Sequence, residues 1–93
     1  MFVHLSIHHP KPGAEPALIE SMHRYGAALH GAPGLISVHT LQDEAAGVLA
    51  GLAIWSSQDT MQASVHLARE AVADDPFGQW EWRETESYRL TDV

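Results

Sequence analysis

Apolar and polar residues alternate from Phe2 to His8: Val3, Leu5 and Ile7 fall on one side, Phe2, His4, Ser6 and His8 on the other. A period of two with β-branched residues predicts a strand. His9-Pro10-Lys11-Pro12-Gly13 ends it, because two prolines remove backbone donors and glycine permits a turn. From Glu15 to about His30 the period lengthens to that of a helix. Glu15 and Pro16 suit a first turn, where the macrodipole favours a carboxylate and proline forfeits no internal bond. Leu18, Met22, Tyr25 and Leu29 then form one apolar stripe, and Gly31-Ala32-Pro33-Gly34 stops the helix.

Leu35 to Gln42 reads as a second strand and Val48 to Trp55 as a third, joined by a hairpin loop, Asp43 to Gly47. Ser56, with Asp59 three residues on, is the expected cap of a second helix, whose stripe is Met61, Val65, Ala68 and Val72. Asp74-Asp75-Pro76 ends that helix. Phe77 to Trp82 reads as a loop leading to a last strand, Arg83 to Leu90, whose polarity suits a sheet edge. No repeat, linker or low-complexity tract interrupts residues 1–93, which form a single domain.

The third strand, VLAGLAIW, has no polar residue on either face, so it needs cover on both sides. Two amphipathic helices cover one face of a four-stranded sheet. The chain has nothing left for the other, and an uncovered face of that kind would show roughly several hundred Å² of apolar surface to water. A second copy packed sheet against sheet resolves this, which predicts a homodimer. If the small side chains of Ala50, Gly51 and Ala53 leave one face only mildly apolar, a monomer would suffice.

Composition narrows the partners. The formal charge is −7, with five scattered basic residues, Lys11, Arg24, Arg69, Arg83 and Arg89. Such a surface offers nothing to a phosphate backbone or an anionic bilayer, so neither nucleic acid nor membrane is an expected partner. Without cysteine there are no disulfides, thiolate nucleophiles or thiolate metal sites. No apolar run reaches the ~20 residues of a membrane span, and the first residues lack a secretory pattern, so a cytoplasmic chain is expected.

Strand–helix–strand–strand–helix–strand in 93 residues is the ferredoxin-like βαββαβ order: an α+β sandwich with a four-stranded antiparallel sheet and two helices on one face. Three passages further resemble the antibiotic-biosynthesis-monooxygenase (ABM) domain: the Lys11-Pro12-Gly13 turn, GAPGLISVHTLQ (Gly31 to Gln42) and IWSSQDTM (Ile54 to Met61). The resemblance implies a dimeric α/β barrel with a pocket between sheet and helices. It also implies an oxidoreductase, a small monooxygenase that needs neither metal nor flavin and acts on a flat aromatic or quinol-like molecule. The alternative is a non-catalytic dimeric small-molecule-binding or stress-associated module of the same fold. Haem-degrading members carry a tryptophan and a histidine along the second helix; here that helix has His66 but no tryptophan. Cofactor-free members use Asn, Trp, Tyr and Arg side chains, and this chain has no asparagine.

Seven histidines are candidates for proton transfer. His4 and His8 lie about 13 Å apart along one strand face, and His23 and His30 about 10 Å apart along a helix, too far to share a metal ion. His39, read as sharing a face with Leu35, Ser37 and Leu41, and His4 are the expected general bases: either could deprotonate a phenol or enol, whose electron-rich anion can then pass an electron to dioxygen. Tyr25, Trp55, Trp80, Trp82 and Arg89 are the expected substrate contacts, the tryptophans as aromatic walls and the arginine as a counter-charge. Each has a bland counterpart: core packing for Tyr25 and Trp55, dimer contacts for Trp80, Trp82 and Arg89. His9 reads as a solvated turn residue, and Glu81, Glu84 and Glu86 with Arg83 as a charged, wet edge. No Ser–His–Asp order, phosphate loop or dinucleotide fingerprint is present.

Overall fold

A computed structural model describes all 93 residues. The first alternating stretch becomes strand β1 (Phe2–His8), followed by helix α1 (Glu15–Ala28), strands β2 (Leu35–Asp43) and β3 (Val48–Trp55), helix α2 (Gln58–Ala71), a four-residue helix α3 (Phe77–Trp80) and strand β4 (Glu86–Thr91). The sheet order is β2-β3-β1-β4, with every pairing antiparallel. This is the ferredoxin-like α+β arrangement, and β4 is an edge strand as its polarity predicted.

One sheet face is dry. Phe2, Leu49, Ala53 and Trp55 point from it to the helices and pack with Leu18, Met22, Leu29, Met61, Val65, Ala68 and Val72, all buried. The stripe predicted for α2 is therefore the packed one. Arg24 of α1 ties the two helices together: Nη1 donates to the Ala71 carbonyl at 3.1 Å and Nη2 to Asp75 at 2.8 Å, so a cation meets the C-terminal end of α2. Ser21 donates to the same carboxylate at 2.5 Å.

The opposite face has no cover within the chain. Strand alternation puts Val3, Leu5, Ile7, Ala50, Leu52, Ile54, Tyr88 and Leu90 there.

Four local expectations are corrected. The cap of α2 is Ser57, whose Oγ accepts from the Thr60 amide at 3.2 Å, whereas Ser56 is held one residue earlier by its backbone N–H, which donates to the Gly34 carbonyl at 2.8 Å. That turn requires glycine: Gly34 has φ +82°, and a Cβ there would lie 2.6 Å from Thr60. Phe77 to Trp82 is not a plain loop, since α3 forms and Trp80, Glu81 and Trp82 run beside the end of β1: Lys11 N donates to the Trp80 carbonyl at 2.7 Å and Trp82 N to that of His9 at 3.0 Å. Strand β4 starts at Glu86 rather than Arg83, because β1 pairing with it begins at Ile7 opposite Glu86. His9 and Glu81 are buried rather than solvated.

Candidate functional site

The strand register builds a floor beneath the helices, row by row. Thr40, Gly51, Ser6 and Ser87 stand opposite one another across β2, β3, β1 and β4, and the neighbouring row is Val38, Ala53, His4 and Arg89. Gly51 and the two serines are small, so the helices cannot close on the floor, and a cavity of about 380 Å³ remains between sheet, α1 and α2. That lies at the lower end of ligand-site sizes, room for one small molecule. Met22, Tyr25, Val72 and Phe77 supply apolar wall, and Arg69 of α2 reaches the rim with no carboxylate partner.

His4 lies on this floor, with Nε2 3.1 Å from the Ser87 Oγ. Burial holds its pKa below the ordinary imidazole value, and the charges of Arg89 and Arg69 push the same way, so at neutral pH it is an uncharged acceptor. Burial raises the Tyr25 phenol, opposed by Arg69, so Tyr25 enters the cavity as a neutral hydroxyl.

Beside His4 runs a second network. Ser6 Oγ is 3.1 Å from His8 Nε2, and His8 Nδ1 is 3.2 Å from Glu81 Oε2. The Glu81 carboxylate also accepts from the His9 amide at 2.9 Å and the Thr85 hydroxyl at 2.7 Å. His9 Nε2 reaches Glu86 at 2.7 Å, and Tyr88 donates to the other Glu86 oxygen at 2.8 Å. Those two donors, Tyr88 foremost, hold the Glu86 carboxyl below its usual range.

Of the residues expected from sequence, His4, Tyr25 and His39 line the cavity. Arg89 faces His4 across the β1–β4 pair and acts through its charge. His39 borders the cavity from a position that the register sets opposite Leu52 on the sheet face away from the helices, and it is exposed. Trp55 is fully buried in the core, where its Nε1 has no partner. Trp80 packs edge-on to Phe77 at 5.7 Å, while Trp82 is largely exposed against His9 at 5.4 Å. Neither roofs the cavity. Ser6 and Arg69 were not singled out as site residues beforehand, His8 was weighed only among the histidines, and Glu81 was read as solvated. For Ser6 the signal was available, since it lies between His4 and His8 on one strand face.

No protein-family profile and no curated protein matches this sequence. Solved structures do. Rv0793 from Mycobacterium tuberculosis superposes with a TM-score of 0.84 at 15% identity, covering 99% of this chain and 94% of that one. A protein of Chloroflexus aurantiacus, provisionally named an antibiotic biosynthesis monooxygenase, gives 0.73 at 19% identity, covering 99% and 92%. The chain has the ABM-like fold. A MhuD variant with two manganese protoporphyrin IX molecules per active site shares this fold, with a TM-score of 0.77 at 18% identity over 100% and 95% of the two chains. His66, the only histidine of α2, is exposed and does not border the cavity. No helix is long and apolar enough to cross a membrane.

Proposed function

We propose that this chain is a cofactor-independent monooxygenase of the ABM type, acting on one small, flat phenolic, enolic or quinol-like molecule in the cavity under α1 and α2. The observation that supports this most is His4, an uncharged imidazole on the floor of a mainly apolar cavity, flanked by two arginines. When Nε2–H donates to Ser87, Nδ1 is left as the acceptor for a substrate proton. The resulting anion gains from the unpartnered Arg69 at the rim. For a methylene between aromatic rings, dioxygen adds at the carbanion carbon to give a hydroperoxide. Loss of water then leaves a carbonyl, so one oxygen atom stays in the product, the other leaves as water, and the substrate supplies every electron.

The same reading places a second copy of the chain on the uncovered sheet face, as a homodimer. A binding-only module is the competing reading; it draws on His39, an expected base that is exposed and that the register sets on the sheet face away from the helices.

Oxygen uptake with anthrone- and naphthol-type substrates in metal-free buffer tests the proposal. His4→Ala is expected to lose roughly 100-fold or more of the turnover, the size of a general-base contribution, and His39→Ala to keep it. Full activity in His4→Ala would remove the base, and no uptake with any substrate, alongside saturable binding, would favour the module.

A further inference from the structure

The network beside His4 has the geometry of an activated nucleophile. Ser6 Oγ and His8 Nε2 are 3.1 Å apart, and His8 Nδ1 faces Glu81 at 3.2 Å. Glu81 is 6% exposed and fixed by two further donors, the His9 amide and the Thr85 hydroxyl, so its orientation does not depend on solvent. A proton on Nδ1, directed at Glu81, leaves Nε2 free to accept from the Ser6 hydroxyl. That is the nucleophile–base–orienter logic of serine acyl transfer, recognised by geometry and not by order along the chain. We propose that Ser6 is an acyl-accepting nucleophile, with His8 as its general base and Glu81 as the residue that positions His8, and that the cavity takes small esters of apolar or aromatic acids.

Three observations bear on the substrate. Ser6 lines the cavity, and its hydroxyl packs against Gly51 opposite, where a Cβ would come within 2.8 Å of Oγ, so no β3 side chain covers it. Met22, Tyr25, Val72 and Phe77 enclose the space beyond, which suits an apolar acyl group. Ser87 stands opposite Ser6 and is bonded to His4 Nε2. With that nitrogen as donor, the Ser87 O–H is free for the developing oxyanion. The strand amides nearby are engaged in the ladder, so this one hydroxyl is the donor and turnover is slow.

In the first step the Ser6 Oγ–carbon bond forms as the hydroxyl proton moves to His8 Nε2. The tetrahedral adduct collapses, the bond to the leaving alkoxide breaks, and His8 returns the proton to it. Water then attacks the acyl-serine with its proton passing to His8, releasing the acid and restoring Ser6. Oxygen plays no part, so this activity stands or falls separately from the oxygenase reading.

The full-length protein is incubated with a fluorophosphonate probe and, separately, with p-nitrophenyl acetate and benzoate. One adduct is expected by intact mass, mapping to Ser6, together with a nitrophenol burst approaching one equivalent. Ser6→Ala is expected to abolish both, and His8→Gln to slow them by about 10²–10⁴-fold. Glu81→Gln is expected to slow labelling with unchanged far-UV circular dichroism, and Glu81→Asp to restore part of the rate, which a merely structural carboxylate would not do. Ser6→Cys gives a second line of test that keeps a nucleophile in place: its alkylation by iodoacetamide is expected to be fast, and slowed when His8→Gln is added. No adduct on the wild-type protein, an adduct on another residue, undiminished hydrolysis in Ser6→Ala, or alkylation of Ser6→Cys indifferent to His8 would each overturn the proposal.

Discussion

Gly51 faces Ser6 across the β1–β3 pair so closely that a Cβ at position 51 would sit 2.8 Å from the serine oxygen. The cavity floor exists because that Cβ is missing. Gly51→Ala is therefore expected to cost about 1–3 kcal/mol, the usual penalty for overpacking, as read from the urea midpoint. Ser6→Ala removes the oxygen that is struck, so the double variant is expected to recover part of the loss. Strict additivity of the two changes would count against this contact.

His4 makes stability depend on pH in a definite direction. Its folded pKa lies below the unfolded value of about 6.5, so the unfolded chain binds more protons between the two. The contribution is complete above the unfolded value and is lost as pH falls through the folded one. His4→Gln is expected to flatten this part of the stability–pH curve, and the His4 ring to titrate below the ordinary imidazole range in an NMR series. A ring titrating at or above 6.5 would contradict the burial argument.

The fold was readable because its periods are clean: β1 and β3 lie where alternation and apolar run placed them. The site was half readable. His4 and Tyr25 sit on faces that periodicity identifies, and both reach the cavity. His39 borders the cavity too, but not from the face its spacing from Leu35 implied, because β2 carries a bulge between Leu35 and Ser37. Leu35 opposes Trp55 and packs on the core, but past the bulge Ser37, His39 and Leu41 oppose Ile54, Leu52 and Ala50 on the uncovered face. One extra residue inverts the parity of everything after it, and no local composition announces it. Glu81 was misread for another reason: its partner His8 is 73 residues away, so its burial depends on pairing that only the folded chain creates. Trp55 went to the core because the tryptophan at the end of β3 meets Met61 and Val65, not the cavity.

Glu81 offers a direct measure of that buried network. Replacing it with alanine leaves the His9 amide, the Thr85 hydroxyl and the His8 Nδ1 without their shared acceptor. A loss of about 2–4 kcal/mol is expected in urea unfolding, consistent with stranded buried donors. Glu84→Ala, at an exposed position in the same segment, is expected to change stability by less than about 0.5 kcal/mol. Equal effects of the two would mean that Glu81 is solvated after all.

The uncovered face supplies the remaining expectation. Leu52 lies on the inner strand β3, opposite Leu5 on one side and His39 on the other, with Val3, Ile54, Tyr88 and Leu90 on the same surface. Eight apolar or aromatic side chains assigned to one side of a sheet, with no helix over them, need a partner that repeats the pattern, and a second copy does so by symmetry. Sedimentation at micromolar concentration is expected to give a dimer. Leu52→Asp, which would place an unpaired charge at its centre, is expected to weaken association by roughly 100-fold or more, about 2.7 kcal/mol, without unfolding the subunit. His39→Asp is expected to act in the same direction, because the register past the bulge puts His39 opposite Leu52 on this surface. A wild-type chain that sediments as a folded monomer would mean that water covers the face, and the pairing would have to be abandoned.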